Sequence, residues 1–268
     1  SAILDLMLHE HGFPTTCEIA IGDNLLIYPW IKDLVRVNRS FIVQRALTMR
    51  EMLMASAKMS RYMHFVINEK QGNIWIAQRE GRAKDSNDRT QESVLKMMSI
   101  AGEGSIIDRL KNLNIVPLAI SYEFDPCDYL KAEEFQHKRD IPDFKKSQQD
   151  DLDNMKTGIF GYKGHIHYHA APCINEWLDT IDPETPKTEL YTLIAQHIDR
   201  EIHSHYRLYP INLVAKDLIE GNTPANTEAL KQVEGYIQHQ LSQVTIEHPD
   251  TDFLRRCILT MYANTVDF

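Results

Sequence analysis

The sequence lacks long apolar runs, closely spaced cysteines and an excess of basic residues, and each absence excludes a class of protein. No segment of the 268 residues approaches the ~20 consecutive apolar residues that a transmembrane helix needs. The four cysteines lie far apart, without the two-residue spacing of zinc and redox motifs: Cys17, Cys127, Cys173 and Cys257. This pattern indicates reduced thiols in a cytoplasmic protein.

The charge balance argues against a nucleic-acid partner. Lys and Arg number 29 against 38 Asp and Glu, a net charge of −9, whereas proteins that bind nucleic acid usually present a basic face. A composition of 43% hydrophobic and 25% charged residues is that of an ordinary globular protein and excludes extended disorder. The length suits one large domain, or one domain with an appendage.

In the first 170 residues, short β-rich runs alternate with helical patterns. The predicted strands are 15–21, 40–44, 73–78, 115–121 and 165–169, and the predicted helices are 1–11, 24–34, 48–67, 88–112 and 128–155. This alternation predicts an α/β fold with a mainly parallel central sheet flanked by helices. The run 115–120 is almost wholly apolar, which is typical of a central strand buried on both faces.

After Pro183 the strand patterns stop, and helices are predicted at 188–206, 226–243 and 251–264. We therefore expect an α/β domain over 1–182 and an all-helical C-terminal region over 183–268. Residues 123–153 hold ten acidic and five basic side chains and are predicted to form a solvated helical excursion.

Two basic segments follow predicted strands, and ligands of open α/β sheets bind outside the carboxyl ends of strands. The first ends at Arg45, and the second carries Arg79, Arg82 and Lys84. Arginine suits bidentate recognition of phosphate, and Gly81 permits close approach of the backbone to a ligand. The net charge of the second loop is only +1, so a solvated turn stays open as an alternative.

These segments carry a family resemblance. Phe41-x-x-x-Arg45, then Glu80-Gly81-Arg82, then Val116-Pro117-Leu118-Ala119 resemble, in this order, three sequence blocks of the glycerol-3-phosphate and lysophosphatidate acyltransferases. The pattern is most similar to the soluble glycerol-3-phosphate acyltransferases of plastids and covers residues 1–170.

The resemblance implies an O-acyltransferase that uses acyl-CoA or acyl carrier protein as donor and a phosphorylated glycerol as acceptor. The substrate-binding residues that it implies are Arg45, Arg79, Glu80, Gly81, Arg82, Lys84 and Pro117. Arg45, Arg82 and Lys84 would hold the phosphate. Glu80 and Gly81 would shape the acceptor pocket, and Pro117 would fix the neighbouring strand. No metal or redox cofactor is needed, and transient contact with the inner face of the membrane is expected.

Two departures from the family pattern matter. Arg82 follows Gly81 directly, whereas the family usually has Glu-Gly-Thr-Arg. The family's first block, His-x-x-x-x-Asp, is absent, because none of the twelve histidines has Asp five positions on. Its His would act as the base that activates the acceptor hydroxyl. We expect this block shortly before Ser1, and a non-catalytic relative that binds phosphate or lipid is the alternative.

Other patterns allow weaker hypotheses. His165, His167 and His169 alternate along a predicted strand, so zinc binding in a metallohydrolase is a third possibility beside ordinary packing. The methionines of helix 48–67 predict core packing or, alternatively, a wall for an acyl chain. The apolar run 25–30, which ends in Trp30, is a candidate for membrane contact, with burial in the core as the alternative. The segment 102–105 predicts a turn between two helices.

Overall fold

A computed structural model of the chain describes residues 2–22, 26, 29–43, 48–79 and 84–268. The chain divides into two compact units. The first comprises Ser1–Gly81, Arg89–Pro117 and Ala170–Asp199, and the second comprises Arg82–Asp88, Leu118–His169 and Arg200–Phe268. The predicted division after residue 182 follows a change in secondary structure rather than compactness, and it stays a prediction.

The described residues form a mixed α/β protein with a helical C-terminal region. The strands are β1 (Glu18–Gly22), β2 (Ser40–Val43), β3 (Ile74–Trp75), β4 (Leu118–Tyr122) and β5 (Ile166–Ala170). The helices are α1 (Ala2–Glu10), α2 (Pro29–Val37), α3 (Met49–Asn68), α4 (Glu92–Met98), α5 (Ile106–Lys111), α6 (Asp128–Asp140), α7 (Gln148–Phe160), α8 (Asn175–Leu178), α9 (Lys187–Ser204), α10 (Pro210–Glu220), α11 (Thr227–Ser242) and α12 (Thr251–Ala263).

The strands of the first unit form a small parallel sheet in the order β2-β1-β3. β1 pairs with β2 in the register Ile19↔Ser40 to Gly22↔Val43, and with β3 through Ile19↔Trp75. The parallel arrangement that strand–helix alternation predicts is thus present in these three strands.

The strand predicted at 115–121 is not a central strand of that sheet. It is β4, which pairs with β5 in a separate two-stranded sheet. Beyond the end of β4, the Glu123 N–H donates to His165 O and the Phe124 N–H to Lys163 O, so the two chain segments run in opposite directions. Burial alternates along β4, with Ala119 and Ser121 buried between half-covered neighbours. The apolar composition therefore predicted the strand correctly but not its surroundings.

Two predicted helices are interrupted by turn residues. The segment 88–112 forms α4 and α5, because Gly102 and Gly104 adopt positive φ angles of 94° and 84° between them. Segment 128–155 forms α6 and α7, which Pro142 and its neighbours separate. The turn predicted at 102–105 is confirmed.

The helices of the second unit pack their apolar faces into one core. In α12 the buried residues Leu254, Ile258, Met261 and Tyr262 follow the i, i+4, i+7, i+8 spacing of a single helix face. Ile211 of α10 is buried in the same cluster. In the first unit, Ser60 Oγ of α3 donates to Met98 O at 2.9 Å and so ties α3 to the end of α4.

Candidate functional site

Three of the residues predicted to bind substrate lie in the described part of the chain. Arg79 follows β3 in the first unit, Lys84 lies in the second unit, and Pro117 directly precedes β4. The Pro117 carbonyl accepts the Ala171 N–H at 2.9 Å, which fixes the backbone there. The remaining predicted residues lie outside the described residues: Arg45, Glu80, Gly81 and Arg82.

The strands that precede two of the family-like segments, β2 and β3, point toward one edge of the parallel sheet. β2 and β3 both run parallel to β1, so all three strands point to the same edge. β2 ends at Val43, level with Gly22 and two residues before Arg45. β3 ends at Trp75, level with Ile19, and is separated from β2 by one strand, or about 10 Å. The described chain therefore leaves β3 toward the edge at which β2 ends.

The base of that loop is closed by hydrogen bonds. The Gln91 N–H donates to Gln78 O at 2.9 Å, which joins the two ends of the basic segment. The Thr90 N–H and hydroxyl both donate to Asp199 Oδ1, at 2.8 and 2.6 Å. These bonds hold the chain at the point where the loop returns to the first unit.

Lys84 belongs to a group of three lysines around one buried carboxylate, which we call the Lys84 cluster: Lys84, Glu134, Lys138 and Lys146. The Glu134 side chain is only 4% exposed. Its Oε1 pairs with Lys84 and, at 3.0 Å, with Lys138, while its Oε2 pairs with Lys146 at 2.8 Å. Glu134 and Lys138 lie one turn apart on α6, and Lys146 precedes α7. Three ammonium groups thus surround a single carboxylate.

The environment of Lys84 disfavours its charged form. Burial, followed by the ammonium groups of Lys138 and Lys146, lowers the pKa of Lys84 from 10.5 to about 7, while the Asp151 carboxylate acts in the opposite direction. A bound anion would stabilise the ammonium form and raise this pKa again. The Lys84 cluster is therefore suited chemically to an anionic ligand such as a phosphate.

The histidines of β5 stack on other rings. The His169 and His205 rings lie 4.0 Å apart and within 8° of parallel, and the His167 and His169 rings lie 6.3 Å apart. Within the described residues, no three His, Cys, Asp or Glu side chains are placed to bind one metal ion.

A cavity of about 400 Å³ lies beside β5 in the second unit. The His165 ring stacks on Tyr209 at 6.4 Å, and the guanidinium of Arg207 lies 6.0 Å from the centre of the same ring. Polar groups of this kind orient small charged ligands. The lining residues are Glu123, His165, Ile166, His167, Arg207, Tyr209 and Pro210.

Asp128, the first residue of α6, is fully buried within a polar network. Its Oδ2 accepts hydrogen bonds from the hydroxyls of Tyr236 at 2.7 Å and Tyr262 at 2.8 Å. Its Oδ1 accepts from the Gln240 amide and from the Tyr129 N–H. Burial raises the pKa of Asp128 from 3.8 to about 6, although the donors from Tyr236, Tyr262 and Gln240 oppose the rise.

The expectation that segment 123–153 is a solvated excursion is wrong for three of its carboxylates. Asp128, Glu133 and Glu134 are all buried, and Glu133 Oε1 accepts the Thr245 N–H at 2.6 Å. The four-residue spacing of Asp128, Ala132 and Gln136 could have indicated a buried face on α6. The high charge of the whole segment obscured this spacing.

Core packing of the α3 methionines is confirmed only for the C-terminal half of the helix. Met63 is buried, whereas Met49, Met52 and Met54 are exposed. Trp30 in α2 is exposed as well, which agrees with its predicted availability at a surface. Leu25, Ile27 and Tyr28 of the same predicted segment lie outside the described residues.

No helix in the described part of the chain is both long enough and apolar enough to cross a membrane. Comparisons of the chain with protein-family models, with curated proteins and with solved structures find no match.

Proposed function

We propose that the protein is an O-acyltransferase of phospholipid synthesis. It moves a fatty acyl group from acyl-CoA or acyl carrier protein to a hydroxyl of glycerol-3-phosphate or its 1-acyl derivative. The observation that carries the proposal is the parallel pairing of β2 and β3 with β1, since two of the family-like segments follow β2 and β3. Ligands of such sheets bind at the carboxyl ends of the strands.

In the proposed reaction the acceptor oxygen attacks the thioester carbonyl, the C–O bond forms, the C–S bond breaks, and the thiol leaves with a proton. Arg45, Arg82 and Lys84 neutralise the phosphate and position the hydroxyl, which is an orienting role. The remaining substrate-binding residues keep the roles that the resemblance implies. In the family that the sequence resembles, the base is the His of a His-x-x-x-x-Asp pair, and none of the twelve histidines here has Asp five positions on. The proposal assigns the mainly parallel central sheet to β1–β3 and places the enzyme in the cytoplasm, in transient contact with the membrane.

The Lys84 cluster supports a phosphate-binding role for Lys84. If Lys84 turns to a phosphate, Lys138 and Lys146 still neutralise Glu134. The carboxylate is then not left buried and unpaired, a state that would cost several kcal/mol. Lys84 can therefore exchange partners at a small cost.

Kinetics of charge-removing variants of the natural polypeptide test the proposal. A charge-assisted contact to phosphate contributes about 1.5–3 kcal/mol. We therefore expect Arg82→Ala to lower kcat/KM for the acceptor by about ten- to a hundredfold, with the donor KM nearly unchanged. Arg82→Lys should recover part of the loss, because lysine keeps the charge but not the planar fork.

Lys84→Ala should weaken use of the acceptor less than Arg82→Ala if Arg82 is the main phosphate contact, and more if the shifted Glu80-Gly81-Arg82 spacing gives that role to Lys84. Lys145→Ala is the matched control, because Lys145 is exposed beside Lys146. Calorimetric binding of glycerol-3-phosphate to the 268-residue chain gives a readout that does not need the base. Binding without acyl transfer by the natural polypeptide would favour the non-catalytic alternative. Wild-type acceptor saturation in Arg82→Ala, Arg82→Lys and Lys84→Ala would contradict the phosphate site.

A further inference from the structure

Helix α3 exposes four large apolar side chains in its first two turns, which we call the α3 tip: Met49, Met52, Leu53 and Met54. Their exposed fractions are 75%, 52%, 64% and 65%. The buried residues of the helix all lie further along: Ser60, Met63, His64 and Val66. The second half of α3 thus anchors the helix in the first unit, and the first half stands in solvent.

The apolar side chains of the α3 tip do not form a narrow stripe. At 100° per residue, positions 49, 52, 53 and 54 spread over about 200° of the helix circumference. A partner helix or a protein groove covers one side of a helix, whereas a lipid phase surrounds an inserted end. The six residues from Met49 to Met54 span about 9 Å, which matches the 5–10 Å depth to which interfacial helices enter a bilayer.

A capping box pairs backbone donors at the start of α3. The Thr48 N–H and hydroxyl donate to Glu51 Oε2 at 2.9 and 2.6 Å, and the Glu51 N–H donates to Thr48 Oγ1 at 3.4 Å. This capping box pairs donors that a helix start otherwise leaves to water. Unpaired backbone groups are costly in lipid, so the capping box lowers the cost of inserting the tip.

The charge around the tip has the opposite sign to that of the whole chain. Between residues 49 and 61 there are three exposed cationic side chains, those of Arg50, Lys58 and Arg61, and one carboxylate, that of Glu51. The segment is therefore net +2, while the chain carries −9. An anionic lipid surface attracts such a segment and repels the rest of the chain, which orients the protein. The long stem of Arg50 lets its guanidinium reach the headgroups from within the tip.

We propose that the α3 tip inserts into the headgroup region of an anionic bilayer, with Arg50, Lys58 and Arg61 contacting lipid phosphates. The inference rests on exposure, geometry and charge, and it does not depend on acyl-transfer activity. It assigns membrane contact to α3, a different segment from the run 25–30 that the sequence suggested.

Co-sedimentation with phosphatidylcholine vesicles, with and without phosphatidylglycerol, tests the proposal on the 268-residue chain. The tip variant is Met52→Ser with Leu53→Ser. Its matched control is Ile159→Ser with Phe160→Ser, since these two side chains are also highly exposed at the end of a helix, at 57% and 81%. We expect the tip variant to lose about tenfold or more in affinity for phosphatidylglycerol vesicles, and the control to stay within about twofold. Unchanged far-UV circular dichroism establishes that both variants are folded.

Two further measurements test whether the α3 tip contacts anionic lipid or a second copy of the chain. Arg50→Gln with Lys58→Gln should abolish the preference for phosphatidylglycerol over phosphatidylcholine alone. In analytical ultracentrifugation the wild-type chain should show no dimer that the tip variant dissociates. The proposal is overturned by absent vesicle binding, by equal losses in the tip and control variants, by an unaltered lipid preference, or by such a dimer. Acyl transfer to a water-soluble acceptor is assayed separately, so failure of the proposed function leaves a distinct signature.

Discussion

Each of the two compact units buries a carboxylate near the start of an element, and the two are neutralised in different ways. In the first unit, Glu18 begins β1 and is 4% exposed. Its oxygens pair with the ammonium of Lys70, with the Tyr62 hydroxyl and, at 3.4 Å, with the Arg39 guanidinium. In the second unit, the donors to Asp128 among the described residues are all uncharged.

This difference reverses the direction of the pKa shift. Burial alone raises the pKa of either carboxyl, but at Glu18 the hydrogen bonds from Lys70 and Tyr62 and the charges of Lys70 and Arg39 outweigh it, so the pKa falls below 4.5. At Asp128 burial outweighs the neutral donors, and the pKa rises to about 6. A cationic partner compensates for the lost hydration of a carboxylate, and hydroxyl and amide donors do so only in part.

Removal of the Asp128 carboxylate should produce the largest effect. In Asp128→Ala the hydroxyls of Tyr236 and Tyr262 and the amide of Gln240 lose a buried acceptor, and each unsatisfied donor costs about 1–3 kcal/mol. We expect the free energy of unfolding of the second unit to fall by about 3–5 kcal/mol in urea denaturation. The control Asp153→Ala changes an exposed carboxylate on α7 and should stay within about 0.5 kcal/mol. A loss below about 1 kcal/mol would show that the network is dispensable.

The pH dependence of stability should separate the two units. The raised pKa of Asp128 means that its destabilising contribution is present above pH 6 and is relieved as the pH falls from about 6 to 3.8. The lowered pKa of Glu18 means that its stabilising contribution is present above pH 4.5 and is lost as the pH falls through the folded-state value.

Urea denaturation between pH 3 and 7 measures both contributions when wild type is compared with two variants, each of which replaces one titrating carboxyl by an amide. Asp128→Asn should cancel the gain in stability between pH 6 and 4, and Glu18→Gln should cancel the loss below pH 4.5. Parallel pH profiles for wild type and both variants would refute the assigned shifts.

Local periodicity was sufficient to predict most elements, because it depends on neighbouring residues. All five predicted strands are present in the described chain, and the helices at 188–206, 226–243 and 251–264 correspond to α9, α11 and α12. Helix α10 was not predicted, although Pro at its start and Gly221 just past its end are typical of helix boundaries.

Long-range partners could not be predicted from the sequence in the same way. Asp128 contacts Tyr236, Gln240 and Tyr262 across separations of 108, 112 and 134 residues. The residues adjacent to Asp128 in the sequence do not indicate these partners. Lys84 was identified as a candidate phosphate ligand, but its pairing with Glu134, 50 residues away, was not. Sequence reasoning therefore proposed Lys84 as a candidate ligand but could not identify the long-range contacts that set the charge states of Lys84 and Asp128.

The smallest expected effect tests whether the contrast between the units is specific to their carboxylates. Gly12 follows α1 in the first unit and Gly221 follows α10 in the second, with φ angles of 79° and 78°. At both helix ends the next N–H bonds to a carbonyl five residues back: Phe13 to Leu8, and Asn222 to Asp217. An added Cβ at either glycine meets nothing within 4 Å, so Ala introduces backbone strain without a clash.

Gly12→Ala and Gly221→Ala should therefore cost about the same, roughly 1 kcal/mol each, and the Asn variants should cost less because Asn tolerates positive φ better. Amide hydrogen exchange in α1 and in α10 measures the two costs locally. Equal costs would mean that the contrast lies in how Glu18 and Asp128 are compensated, and that the two units hold a helix end equally firmly. Costs that differ by more than about 1 kcal/mol would instead indicate that the two units differ generally in local stability, and that the contrast between Glu18 and Asp128 is one part of that difference.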